Sequence, residues 1–299
     1  MSPIIIIFVR ENHGDNVPKN KIHMSAENPF FHVVHERFTT AEAIEEAKRC
    51  LQCKKPTCVT GCPISNDIPD FIHQLSMGNM GTAMSILNQK SNLPAICGRV
   101  CPHERQCQGH CILEKKGNPI QIGKLECFVA DFDSDMQLTR ERLPQKTRGK
   151  IAVIGSGPAG LTVAGDLARA GFNVTIFEAQ PEAGGVLMFG IPEYRLPKSI
   201  VRKEIAKIEA LGVNFRLNTV VGPDGLTVDR LFADGFDAIF IGTGTAVPQD
   251  MNDTPGAQLR GVSQGTYLLH CVSSYTSGAI GRRLGRFQNS GRNVAAATI

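Results

Sequence analysis

Lys150-Ile151-Ala152-Val153-Ile154-Gly155-Ser156-Gly157-Pro158-Ala159-Gly160-Leu161 joins a short apolar run to a Gly-x-Gly-x-x-Gly turn. The run predicts a strand, and Pro158 to Ala170 predicts a helix stopped by Gly171. A second strand follows from Asn173 to Phe177 and ends on Glu178, 23 residues after Gly155. Strand, turn, helix and strand within about 30 residues open a parallel α/β sheet. The three glycines act differently. Gly155 permits the tight turn, Gly157 lets the backbone approach a pyrophosphate, and Gly160 lets the helix pack closely on the strand. The helix amino terminus adds unpaired N–H groups and a partial positive charge. Glu178 is placed to accept hydrogen bonds from ribose hydroxyls, which suits an adenosine ribose without a 2′-phosphate and hence FAD or NAD. A glycine-rich turn without a ligand is the alternative, and the flanking strand, helix and acid count against it.

Downstream, Gly184-Gly185-Val186-Leu187-Met188-Phe189-Gly190-Ile191-Pro192 suits a backbone lying against a large planar ligand, which tilts the choice towards FAD. A helix is expected from Ser199 to Leu211, with Gly212 just past its end, and a strand from Phe236 to Ile241 running into Gly242-Thr243-Gly244.

Upstream the pattern is helical. Thr39 and Glu42 have capping-box spacing, and the helix they start delivers Cys50 and Cys53 at its end. Further helices are expected from Asp67 to Gly78, from Asn79 with Met80, Ala83, Met84 and Leu87 on one face, and from Ile120 to Phe132. Eight of the ten cysteines fall here, as Cys50-x2-Cys53-x4-Cys58-x3-Cys62-Pro63 and Cys97-x3-Cys101-Pro102-x4-Cys107-x3-Cys111. Iron–sulfur clusters take soft thiolates, commonly four each, and a run ending in Cys-Pro lends its last cysteine to the other cluster in two-cluster ferredoxins. Two clusters with crossed ligation are therefore expected. Two zinc sites are the alternative, but zinc ribbons pair C-x2-C knuckles on hairpins, whereas only Cys50 and Cys53 form one here, in helical surroundings. His103 and His110 read as polar neighbours of the cluster loops, and Cys271 as a buried structural thiol.

The 299 residues suffice for two domains: an arm at 1–38, a helical cysteine domain at 39–132, a linker at 133–149, a Rossmann-like domain at 150–270 and a tail at 271–299. With no Trp, 6% aromatic residues and a net charge of +4 spread along the chain, a nucleic-acid groove is not expected. The apolar run Ile4–Val9 is too short to span a bilayer and lacks the flanks of a secretory signal. A cytoplasmic location follows as the expectation, and clustered thiols in that reducing compartment read as metal ligands.

In Ala47-Lys48-Arg49-Cys50-Leu51-Gln52-Cys53, Gly61-Cys62-Pro63, Gly98-Arg99-Val100-Cys101-Pro102, Ile151–Gly160 and Gly184–Pro197, the chain resembles a family of FAD and iron–sulfur oxidoreductases. That family includes the small (beta) subunit of NADPH-dependent glutamate synthase, the amino-terminal module of dihydropyrimidine dehydrogenase and the large subunit of electron-bifurcating ferredoxin:NADP oxidoreductase. The resemblance covers roughly residues 24 to 270. It implies an α/β chain: an all-helical domain with two [4Fe-4S] clusters, followed by an incomplete Rossmann-like FAD domain. One cluster would take Cys50, Cys53, Cys58 and Cys111; the other Cys62, Cys101, Cys107 and Glu126, with Cys127 as a possible competitor and Cys97 as a packing residue. FAD would meet Val100, the turn Gly155-Ser156-Gly157-Pro158-Ala159-Gly160-Leu161, Glu178 to Val186 with Gly184 and Gly185, Arg195, Val221 and Gly242-Thr243-Gly244, and Arg195 would set a fixed positive charge near it. NADPH would reduce FAD, and electrons would pass to the clusters and on to a large glutamate synthase-type subunit or another acceptor chain. No catalytic acid–base residue is required. The family's second glycine turn, which binds NADPH, has no counterpart in this sequence, so the chain reads as one shortened before that domain, or as an electron-relay module.

Overall fold

The computed structural model describes residues 37–139, 143, 145–223, 225–245, 253–257, 259 and 262–277. The Ile4–Val9 run and most of the tail expected at 271–299 lie outside the described residues.

Helices α1 (Thr40–Lys48), α2 (Thr57–Thr60), α3 (Ile68–Ser76), α4 (Met80–Asn88), α5 (Pro94–Val100) and α6 (Ile122–Met136) form the cysteine-bearing half, with 3-10 turns at His103–Arg105 and Ile112–Lys116. The capping box at Thr39 is present in full: its hydroxyl accepts from Glu42 N, and the Glu42 carboxylate accepts from Thr39 N at 2.8 Å. α1 buries Ala43 and Ala47 against α3, whose Phe71, Ile72 and Leu75 are at most 1% exposed. Each such large side chain contributes about 1.5–3 kcal/mol. Gly78 takes a positive φ of 78° between α3 and α4, and Met80, Ala83, Met84 and Leu87 form the buried face of α4 as their spacing implies.

α6 differs from expectation. It starts at Ile122 rather than Ile120 and runs through Met136, into the stretch expected to be a linker. The acids towards this end of the helix each have a cation. Asp131 takes a two-oxygen pairing from Arg99 at 2.9 and 2.6 Å, Asp135 pairs with Lys203 at 3.0 Å, and Asp133 lies 4.0 Å from Lys207. Gln137, at φ 51°, ends the helix.

The other half is a four-stranded parallel sheet in the order β3-β2-β1-β4: β1 (Lys150–Ile154), β2 (Asn173–Phe177), β3 (Asn214–Arg216) and β4 (Ala238–Ile241). Lys150 pairs with Asn173 and Ile154 with Phe177, so β1 and β2 end together, at the bounds their sequence implied. β4 begins two residues later than expected, because Phe236 turns its ring edge-on to Phe177 at 5.6 Å and the Asp237 carboxylate accepts from Lys150 N. Helices α7 (Pro158–Arg169), α8 (Val186–Phe189), α9 (Lys198–Ala210), α10 (Val228–Ala233) and α11 (Gly265–Ser277) complete the described elements. α11 runs across position 271, where the tail was expected to begin.

Alternation along β1 separates two cores. Ala152 and Ile154 join Phe177, Leu231 and Phe236 on one face. Ile151 and Val153 face the other, where a continuous apolar core runs from Ala43 in α1 to Val213 before β3. The cysteine half and the sheet half thus share one interior.

Candidate metal centres and dinucleotide site

α1 ends at Lys48, so Cys50 and Cys53 lie on the loop beyond it, which Gln52 pins by donating to Pro69 O at 3.1 Å. Cys58 is in α2, and Cys111 immediately precedes the second 3-10 turn. These four residues line one cavity, walled by Ile72, Ile120 and Ile122. Burial raises Cys50, and it carries the Cys58 thiol up to about 11, with Cys50, Cys111 and Cys53 adding to the effect.

A second group forms around the end of α5. Burial pushes Cys107 up to about 12, reinforced by Glu126 and Cys62. Cys101 goes the other way, because the Cys97 thiol donates to it and outweighs its burial and the nearby Glu126, Cys107 and Cys62. Glu126 is 7% exposed, and burial first, then Cys97 and Glu204, moves its carboxyl well above the usual range. Thus Cys111 from the second run sits with the first group, and Cys62 from the first run with the second. Cys127 looks elsewhere: its sulfur lies against Gly98, 2.8 Å from where a β-carbon would be, and Arg99 and Asp131 are its charged neighbours. The Ser91 hydroxyl lies 3.8 Å from the Cys97 sulfur.

The two histidines bond backbone. His103 Nε2 is 3.1 Å from Cys97 O and its ring fills the space above Gly123. His110 Nδ1 is 2.6 Å from Gln106 O and its ring lies against Gly61. Cys271 is half-buried and hydrogen-bonds the Tyr267 hydroxyl.

At the carboxyl edge of the sheet, Gly155 takes φ 94°, and a β-carbon there would lie 2.5 Å from Gly242 O. One at Gly160 would lie 2.0 Å from Gly155 O and 3.3 Å from Val153 Cγ1, so the close helix–strand packing is real. At Gly157 the same position is open, with no heavy atom within 4 Å, in front of the amino terminus of α7. A phosphate fits such a place. Gly185 approaches from the far side, a β-carbon on it falling 2.8 Å from Gly157 Cα. The structure therefore brings together Gly155–Gly160, Gly184, Gly185, Gly242 and Thr243.

Glu178 has an additional role that its sequence position did not reveal. One carboxylate oxygen accepts from Ser156 N at 2.9 Å and Ser156 Oγ at 2.5 Å; the other accepts from Gln180 N at 2.9 Å. Ser156 Oγ in turn accepts from Gly184 N. The acid thus fixes the turn, while its remaining lone pairs suit ribose hydroxyls. Val186 opens α8 and is exposed. Arg195 donates its backbone N–H to Pro192 O, Val221 bridges to Leu226 beside the smaller core, and Val100 closes α5 against the main core.

Sequence reasoning passed over Lys198. Its side chain is 3% exposed and donates to Leu187 O at 2.9 Å and to Ile191 O, tying down α8. Burial lowers its pKa to about 8, against the opposing pull of Glu193. A basic residue at a helix start gave no signal of this.

Residues 26–138 match the family model of dihydropyrimidine dehydrogenase domain II, 4Fe-4S cluster, and residues 153–191 that of the NAD(P)-binding Rossmann-like domain. The Escherichia coli K12 glutamate synthase [NADPH] small chain is 38% identical over 213 residues, 71% of this chain and 45% of that protein. The Halomonas elongata glutamate synthase [NADPH] small chain is 35% identical over 255 residues, 83% of this chain and 53% of that one. A Salmonella typhi homolog of the NAD-dependent dihydropyrimidine dehydrogenase subunit PreT is 39% identical over 214 residues, 72% and 51%. The chain belongs to this oxidoreductase family. In this chain the iron–sulfur domain precedes the NAD(P)-binding Rossmann-like domain. The chain spans about half the length of these relatives. Among the described residues no helix is long and apolar enough to cross a membrane.

Proposed function

We propose that the chain is an electron-transfer subunit of the glutamate synthase small-chain type, working between NAD(P)H and a partner subunit through FAD and two [4Fe-4S] clusters. The observation that carries this reading is the one cavity lined by Cys50, Cys53, Cys58 and Cys111, which draws Cys111 from the second run to the first, while Cys62, Cys107 and Glu126, with Cys97 beside them, are the neighbours of Cys101. Crossed ligation of that kind is a property of two-cluster iron–sulfur proteins.

In this reading Cys50, Cys53, Cys58 and Cys111 hold one cluster, and Cys62, Cys101, Cys107 and Glu126 the other. Helical surroundings and a single C-x2-C knuckle favour a cluster over zinc ribbons. When bound, the clusters supply one-electron chemistry and the flavin accepts a hydride. The chain's own residues bind and orient: open Gly157 and the α7 amino terminus receive the pyrophosphate, Glu178 the ribose, and Arg195 adds a positive charge. Apolar side chains, Ile72, Ile120 and Ile122 among them, wall the first cavity around its thiols. The partner is a large glutamate synthase-type subunit or a related acceptor chain, in keeping with the names of the similar proteins.

Anaerobic purification and reconstitution test this. About eight iron and eight sulfide per chain, with one extractable FAD, is the expected result for two cubane clusters and a flavin site. Iron-free protein that instead binds zinc would overturn it. Bleaching of the flavin by NADPH, set against reduction by dithionite alone, separates nicotinamide oxidation from a pure electron relay.

A further inference from the structure

α5 begins without a cap of its own. Leu93 occupies the N-cap position, where no side chain accepts a bond, and Pro94 has no N–H to offer. The first N–H of the helix is that of Ala95, and it donates to Glu204 Oε2 at 3.3 Å, from a residue 109 positions away on α9. Glu204 is 1% exposed, and Lys207 Nζ stands 3.0 Å from its other oxygen. A buried carboxylate is costly unless it is partnered; Lys207 partners this one within α9, and the Ala95 N–H partners it across to a helix of the cysteine half. On its other side α5 is clamped to α6 through Arg99 and Asp131. Seven residues make a rod of about 10 Å, short enough for a shift at its start to reach its end. That end is Val100 and Cys101.

We infer that Glu204 is a positioning residue for electron transfer: by capping α5 across the interface, it fixes Cys101 and its cluster relative to the dinucleotide site. This rests on the function proposed above. It extends that function by making the geometry between the two cofactor sites depend on one carboxylate that touches neither of them.

Two variants of the full chain separate the cap from the charge. Glu204→Met removes the acceptor at nearly constant volume; Glu204→Gln keeps an acceptor oxygen and loses the charge. Hydrogen exchange of the metal-free and the loaded protein is followed over residues 93–101, with α1 as the internal control. Electron paramagnetic resonance is recorded on the dithionite-reduced, reconstituted protein. For Glu204→Met, exchange at the start of α5 should quicken roughly tenfold while α1 is unchanged. One reduced-cluster signal should shift or disappear while the other persists. Glu204→Gln should match the unaltered protein in exchange and keep both cluster signals. The inference falls if Glu204→Met leaves exchange and spectrum unchanged, if it loses both cluster signals together with a general fall in melting temperature, or if Glu204→Gln behaves like Glu204→Met. Unaltered protein that takes up no clusters would sink the functional reading instead, and the exchange measurement on metal-free protein would still decide whether Glu204 caps α5.

Discussion

Gly157 and Gly160 are three residues apart in one turn, and a methyl group on each should do opposite things. On Gly160 it would enter the space of Gly155 O, 2.0 Å away, so Gly160→Ala must push α7 off β1. Overpacking of this kind costs about 1–3 kcal/mol, and thermal melting should show it. On Gly157 it would meet nothing, and φ of −66° is ordinary for alanine. Gly157→Ala should therefore melt like the unaltered protein but bind flavin at least about tenfold more weakly, because the methyl occupies the approach of the pyrophosphate. Flavin titration by fluorescence, beside the melting curves, reads both variants. A second pair of neighbours divides in the same way. Glu126 belongs with Cys101 and Cys107, whereas Cys127 is packed on Gly98 with Arg99 and Asp131 around it. Cys127→Ala should keep its full iron content. Glu126→Ala should lose or alter one cluster, seen as reduced iron per chain or a changed resonance signal.

Among the elements, those legible in the sequence were the ones whose apolar pattern is internal to themselves. β1 and β2 are short apolar runs bounded by glycine and a turn, and α1 announces itself through Thr39 and Glu42. What stayed hidden is structure made by partners far away in the chain. β3 is only Asn214-Phe215-Arg216, a strand because β2 offers it an edge. The end of α6 read as part of a polar linker because Lys203 and Lys207, which reach Asp135 and Asp133, cannot be placed beside it from sequence alone. α8 is four residues long, and its stability comes from Lys198 reaching back to Leu187 O and Ile191 O. The same limit applies to the site. Cysteine spacing and the glycine turn could be read directly, but the second employment of Glu178 on Ser156 could not. For α8 the consequence can be measured. Lys198→Met leaves two carbonyls without their ammonium, each worth about 1–3 kcal/mol when buried and unpaired. Protease cleavage within residues 184–192 should become faster, and flavin should bind more weakly, while iron content is unchanged. Loss of iron in this variant would show that the lysine serves the whole chain rather than α8.

For the whole molecule, the continuous core makes the two halves one folding unit. The contacts that cross between them are specific as well as apolar: Asn92 donates to Thr162 O and to Asp166 on α7, and Lys203 and Lys207 of α9 reach the acids of α6. Metal loss in the cysteine half should therefore lower the melting of the sheet half too, in a single transition. The size of that drop should depend on pH, with a sign fixed above pH 9 by the thiols that burial raises. Their ordinary value is 9.0, while burial in the folded, metal-free chain holds Cys58 up to about 11 and Cys107 and Cys127 up to about 12. Between those values the unfolded chain releases protons that the folded chain retains, so folding stability falls as pH rises from about 9 towards 12. Below pH 9 these thiols are neutral in both states and contribute no slope. In the loaded protein the ligand cysteines are thiolates already, which removes their share of the effect. Melting curves of metal-free and reconstituted protein from pH 7.5 to 10.5 should therefore diverge above pH 9, with the metal-free protein declining faster. Parallel curves would mean that the thiols of Cys58 and Cys107 are not buried as a group, and the shared interior would then not extend to the metal-binding end of the chain.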